Sequence, residues 1–269
     1  MTISILGCGW FGLPFGQRLV TLGYTVKGST TSKDKLSLLH KSGITPFLLN
    51  LSPAAFGEID KTFFDCDILL IAIPPKLRSS SQADYLDGIG KAIHYINEHS
   101  VRNVMFVSST SVFGDENRNV NENDTTTPDT DSGKVLVIAE QLLRAQTNFT
   151  TTVVRFAGLI GPGRNPGRFF AGKTNIPNGR APVNLIHLDD CCGVCVTIIQ
   201  SMVLGHVIHA CSPHHPQKQE YYTRASKQSG LPEPQFVDEL MHWKIIETTN
   251  SDKLLSYQYR IHIANFNVE

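Results

Sequence analysis

Near the start of the chain, Gly7, Gly9 and Gly12 stand at one- and two-residue intervals in the stretch Gly7-Cys8-Gly9-Trp10-Phe11-Gly12. In that pattern the first glycine permits a tight turn, the second lets the backbone approach a bound phosphate, and the third lets a helix pack closely on a strand. The flanks fit the same reading. Residues 3–6 are an apolar strand, and residues 11–22 have helical periodicity, with Pro14 tolerated in the first turn and Gly23 as a stop. Together they predict a strand–turn–helix unit whose free helix N–H groups receive the pyrophosphate of a nicotinamide dinucleotide. Gly7, Gly9, Trp10, Phe11 and Gly12 are its expected contacts.

The end of the second strand bears on which dinucleotide. A site for NAD usually carries Asp or Glu there, about 20 residues after the glycines, to hold the ribose 2′-hydroxyl. This chain reads Lys27-Gly28-Ser29-Thr30-Thr31-Ser32-Lys33, with no carboxylate before Asp34. Hydroxyls and lysines suit a 2′-phosphate, so NADP is expected on Ser29, Thr30, Thr31 and Lys33, with NAD as the alternative. An ordinary polar turn capping the next helix would have the same composition.

A second constellation lies at Gly161-Pro162-Gly163-Arg164-Asn165-Pro166-Gly167-Arg168-Phe169-Phe170-Ala171-Gly172-Lys173. Arginine forks suit bidentate contact with phosphate or carboxylate, so Arg164, Arg168 and Lys173 predict a small anionic ligand; a solvated basic loop is the other reading. Cys191, Cys192 and Cys195 lack a second ligand pair at zinc-like spacing and sit in an apolar helical stretch. They are expected to be buried small residues, and no metal is expected. His214 and His215 receive no role.

These residues need elements to hold them. Up to about residue 160, short apolar runs alternate with helical patterns, the mark of parallel βαβ units. Strands are expected at 3–6, 24–28, 47–51, 68–73, 104–107, 152–156 and 207–210, and helices at 11–22, 85–99, 132–145 and 189–202. Residues 116–131 and 161–182 read as loops. The expected fold is an α/β doubly wound parallel Rossmann sheet, with a small C-terminal substrate lobe. Residues 1–160 would form the core, with 186–210 returning to it; 161–185 and 211–269 would form the lobe.

Bulk properties narrow the partners. The 24 Lys plus Arg balance 24 Asp plus Glu, so there is no global attraction to nucleic acid or an anionic membrane. No stretch approaches the roughly 20 apolar residues of a membrane span. The start runs straight into the first strand and reads as no signal peptide. Six cysteines in 269 residues make no dense disulfide framework. A cytoplasmic protein with reduced thiols is expected.

At Val107-Ser108-Ser109-Thr110-Ser111-Val112-Phe113-Gly114 the chain resembles the extended short-chain dehydrogenase/reductases, the group of nucleotide-sugar epimerases and dehydratases. Arg155-Phe156-Ala157-Gly158-Leu159-Ile160-Gly161-Pro162-Gly163 and Leu185-Ile186-His187-Leu188-Asp189-Asp190 are similar to the same group. The resemblance implies that Ser109 hydrogen-bonds a reacting oxygen and that His187 and the basic loop face substrate. Pro74 and Ser108, at two strand ends, join the expected cofactor contacts. It also implies a homodimer through the helix 132–145, which is apolar nearly all round and is expected to be buried on more than one side.

The chain departs from that group at its proton-transfer pair. Counting back from Glu140, the group's tyrosine falls on Ser132 and its lysine on Leu136, while Phe113 replaces the tyrosine of a Val-Tyr-Gly stretch. A serine beside a leucine lacks the ammonium that lowers a phenol's pKa for proton transfer, and none of the seven tyrosines is followed by lysine four residues on. Two functions therefore stand. One is a reductase, epimerase or dehydratase with a non-standard acid, Ser109 with water or His187. The other is a non-catalytic NADP-binding sensor or regulatory protein.

Overall fold

The computed structural model describes residues 1–51, 59–75 and 81–263. Its sheet begins with β1 (Thr2–Leu6) and β4 (Ile68–Ile71), buried along almost their whole length. Strands covered on both faces are necessarily near-continuous apolar runs. The one polar residue inside β1, Ser4, is satisfied by donating to the carbonyl of Phe63 at 2.6 Å.

The remaining strands of that sheet are β2 (Thr25–Thr30), β3 (Thr45–Leu48), β5 (Asn103–Ser109), β7 (Thr150–Phe156) and β10 (Val207–Ala210). They make a seven-stranded parallel sheet in the order β3-β2-β1-β4-β5-β7-β10. The order reverses between β1 and β4, the switch point beyond whose strand ends open α/β sheets take their ligands. The α/β doubly wound expectation is thus met.

By internal packing the chain divides into two compact units. The first is Met1–Ser109, Thr130–Val154 and Ile198–Val207; the second is Thr110–Asp129, Arg155–Thr197 and Ile208–Glu269. These points of division differ from 1–160 with 186–210, because residues 110–129 and most of a helix placed with the core pack within the second unit.

In the first unit, α1 (Gly12–Thr21) follows β1, and α2 (Leu36–Lys41) follows β2. α3 (Gln82–Glu98) starts at a capping box in which Ser81 and Asp84 each bond the other's backbone N–H. It packs against α4 (Asp131–Arg144).

α4 corrects one expectation. Gly133, Val135, Leu136, Ala139, Glu140 and Leu143 form a single buried face. Ile138 and Leu142, four residues apart, are 40% and 39% exposed on the other side. Composition alone could not say which apolar residues the sheet covers.

The second unit is built from two parallel strand pairs. One joins β6 (Arg118–Val120) to β11 (Lys244–Ile246), and the other joins β8 (Gly158–Ile160) to β9 (Leu185–His187). β6 lies inside the stretch expected to be loop. α5 (Leu188–Ser201) and α6 (Lys218–Gln228) complete the unit. A local core gathers Ile160, Val183, Leu185, Tyr221, Tyr222 and Ile263, with Phe170 and Phe236 against it. As expected, Cys191, Cys192 and Cys195 are buried on α5.

Candidate functional site

In the first unit the glycine turn links the C-terminal end of β1 to α1. Gly7 has φ +107°, and a Cβ there would lie 2.9 Å from the Ile73 side chain and 3.1 Å from the Ala72 carbonyl oxygen. Both a left-handed backbone and a close approach therefore demand glycine. A Cβ on Gly12 would strike the Gly7 carbonyl oxygen, so the third glycine is needed for α1 to close on the turn. Gly9 is different: nothing lies within 4 Å of where its Cβ would be. The protein itself does not require glycine there, so the second glycine keeps that face of the turn open.

The helix end is suited to an anion. No side chain caps α1 at Phe11, and its first turn carries no acidic residue. Phe11 is buried and stacks on Phe15 with ring centroids 5.3 Å apart, so its side chain anchors the helix. Trp10 is half-buried. The Cys8 thiol is pushed up to about 12, chiefly by burial, with the Ser29 backbone opposing the shift. It stays a neutral packing group.

The residues expected to take a 2′-phosphate separate into two kinds. The Ser29 hydroxyl is buried and accepts from the Gly7 N–H at 2.9 Å, while the Ser29 carbonyl accepts from the Cys8 N–H at 2.8 Å. Ser29 thus braces the turn. Thr30 is buried, and its hydroxyl accepts from the Ser32 N–H at 3.2 Å. Thr31 and Lys33 are exposed beyond β2. Pro74, past the end of β4, is also exposed.

A pocket of about 250 Å³ opens beside the turn, lined by Cys8, Gly9, Trp10, Leu13, Pro14, Lys35, Leu38 and Leu39. Among the described residues, Lys35 is its only basic lining residue. The run of hydroxyls and lysines at the end of β2 extends only to Lys33. The short 3₁₀ turn Lys33–Lys35, which carries Lys35 to the pocket, has no periodicity to reveal it.

Ser108 and Ser109 end β5. Ser108 is buried and donates to Glu140 of α4 at 2.6 Å. Glu140 is itself 3% exposed, although a glutamate inside a helix is ordinarily a surface residue. Ser109 is half-buried. On α4, Ser132 is half-buried and Leu136 buried on the same face as Glu140.

The other expected site residues lie in the second unit. Arg164 and Arg168 are exposed, Arg168 at the end of the 3₁₀ turn Pro166–Arg168. Lys173 is exposed, with its ammonium 5.5 Å from the Phe170 ring centroid. His187 ends β9 and is buried. Its Nδ1 accepts the Asp189 N–H at 3.2 Å, which assigns the neutral ring's proton to Nε2. Burial lowers its pKa, against the pull of Asp189 and Asp190.

No protein-family profile matches the chain. It is 35% identical over 262 residues to protein YeeZ of Escherichia coli K12, across 96% of this chain and 95% of that one. A functionally unknown conserved protein from Silicibacter pomeroyi has a similar structure, with a TM-score of 0.78 and 24% identity over 98% of this chain and 95% of the other. UDP-glucuronic acid 4-epimerase from Bacillus cereus, solved with NAD, gives 0.81 at 17% identity over 98% and 95% of the two chains. UDP-glucose 4-epimerase from Bifidobacterium longum, solved with NAD+ and UDP, gives 0.78 at 16% identity over the same shares. At these identities the structural likenesses establish the fold.

Proposed function

The chain belongs to the family of protein YeeZ of Escherichia coli, and we propose that it is an NADP-binding protein acting on a small anionic molecule. The observation that carries this reading is the glycine turn, rigid at Gly7 and Gly12, open at Gly9, and flanked by a pocket holding Lys35. The open face admits a pyrophosphate. Lys35, with Lys33 and Thr31 exposed nearby in the sequence, supplies the charge and donors that distinguish a 2′-phosphate from a hydroxyl. NAD remains the alternative, since epimerases sharing the fold were solved with it.

As an enzyme, the protein would use nucleotide-sugar-like chemistry with a non-standard site. A bound nicotinamide supplies hydride acceptance or donation. In the first unit, Ser109 would hydrogen-bond a reacting oxygen; in the second, His187 with its proton on Nε2 would serve as a donor, and Arg164, Arg168 and Lys173 would hold an anion. The second reading, a sensor or regulator that binds NADP without turnover, is favoured by Ser132 and Leu136 at the positions of the usual tyrosine and lysine. We further propose a cytoplasmic location, a substrate-binding role for the C-terminal lobe, and a homodimer through α4. Among the described residues no helix is long and apolar enough to cross a membrane.

Titration with NADPH and NADH, followed by tryptophan fluorescence, tests the cofactor. At least ten-fold tighter NADPH binding is expected, and tighter NADH binding would refute the NADP assignment. A hydride-transfer assay with nucleotide sugars and sugar acids separates enzyme from sensor. Turnover lost in Ser109→Ala supports the former; NADPH binding with no turnover across the panel supports the latter.

A further inference from the structure

Among the described residues, helix α6 carries two buried polar atoms without a hydrogen-bond partner, the phenol oxygen of Tyr221 and the Nη2 of Arg224. They are three residues apart on a helix, which puts their side chains on neighbouring positions of one face. The guanidinium carbon of Arg224 lies 5.7 Å from the Tyr221 ring centroid. The Tyr221 ring is 1% exposed and packs with Ile160, Val183, Leu185 and Ile263. Arg224 is half-buried as a residue, with its Nη2 itself out of contact with solvent.

Folded proteins seldom leave such groups unmatched, because a buried donor that gives up water and gains nothing costs stability. The surroundings follow that rule. Ser226 donates to the Gly167 carbonyl at 2.8 Å, and Ser229 donates to the Ala225 carbonyl at 2.8 Å. His215 Nδ1 lies 3.2 Å from the Val183 carbonyl. Glu122 and His214 in the same unit also bury an unmatched atom, but Tyr221 and Arg224 are two such groups on one helix face.

Both orphan atoms are donors. Burial and Tyr222 push the Tyr221 phenol up more than Arg224 pulls it down, so it keeps its proton, and a guanidinium has no acceptor. The matching ligand offers an acceptor with negative charge. The same helix is clamped to the basic loop: a Cβ on Gly167 would come within 2.5 Å of both the Ala225 carbonyl oxygen and the Ser229 hydroxyl. α6 and the Pro166–Arg168 turn are thus packed backbone against backbone at this point.

We infer that Tyr221 and Arg224 form an oxyanion-binding pair, taking a phosphate or carboxylate group through the phenol O–H and the guanidinium. This rests on the proposed anionic small molecule and names the residues that would hold its charged group, in addition to Arg164 and Arg168.

Calorimetric titration of the whole protein with inorganic phosphate and with glucuronate tests the pair and separates the two sources of the oxyanion. Tyr221→Phe keeps the packed ring and removes one hydrogen bond, so binding of the preferred anion should weaken about ten-fold. Arg224→Gln should weaken it about thirty-fold or more. NADPH binding and the melting temperature of Tyr221→Phe report whether the fold is retained.

If the Arg164→Ala, Arg168→Ala double variant binds the anion normally while the α6 variants do not, the inference stands and the basic-loop assignment falls. If only the loop variant loses binding, the inference is overturned and the loop assignment stands. A wild-type protein that binds neither anion overturns the inference, whatever the NADPH titration gives.

Discussion

The hydroxyl of Ser29, at the end of β2, accepts the backbone N–H of Gly7, at the end of β1, at 2.9 Å. A side chain 22 residues further along the chain thus sets the orientation of the first peptide of the glycine turn. Replacing it with alanine leaves a part-buried N–H unmatched. Ser29→Ala should cost about 1–3 kcal/mol of stability and weaken NADPH and NADH alike, as read from urea melts and paired titrations. Selective loss of NADPH would instead make Ser29 a phosphate ligand.

The three glycines should respond differently to one added methyl group. Gly9→Ala meets no protein atom within 4 Å, so its melting temperature should stay near wild type while dinucleotide binding falls at least ten-fold. Gly12→Ala collides with the Gly7 carbonyl and should lose both stability and binding. Gly9→Ala that binds normally would move the pyrophosphate away from this turn.

Lys35 should discriminate between cofactors. Lys35→Ala should weaken NADPH about ten-fold, the scale of one charge-assisted contact, and leave NADH within two-fold. Because Trp10 lines the same pocket, its fluorescence should report the titration directly. Equal losses for the two cofactors would assign Lys35 a purely structural part.

Acid should act through His209, which is fully buried in the second unit. Its Nδ1 lies 2.9 Å from the Glu247 carbonyl and its Nε2 3.4 Å from Arg155, so the neutral ring donates to one and accepts from the other. Burial, aided by Arg155, lowers its pKa to about 3. Between about pH 6.5 and about 3 the unfolded chain binds a proton here that the folded protein refuses. Stability is therefore full above about 6.5 and falls with pH, by at most about 1.4 kcal/mol per unit from this group. Urea melts at pH 7 and 5 should show a smaller loss in His209→Asn than in wild type.

The exposed pair Ile138 and Leu142 on α4 should report association. If the homodimer forms there, Ile138→Glu with Leu142→Glu should shift the mass by light scattering from dimer to monomer, with NADPH binding intact. A wild-type monomer at micromolar concentration would exclude it.

The sequence by itself determined the parallel sheet and its glycine turn, because both rest on local patterns. Continuous apolar runs such as Ile68–Ile71 mark strands buried on two faces, and the demand on Gly12 comes from Gly7 and Ile5 within its own βα unit, whereas Gly7 is also crowded by Ala72 and Ile73 from a distant strand end. Only the tertiary structure decided which polar residues are tied to other segments of the chain. Ser29 and Ser108 are expected cofactor contacts by position, and in the fold their hydroxyls also bond Gly7 and Glu140, 22 and 32 residues away. Lys35, Tyr221 and Arg224 had no motif to announce them. A hydrogen bond or a pocket wall depends on distances between segments that no local spacing encodes, so the same serine or lysine can serve the core or the ligand until the chain is folded.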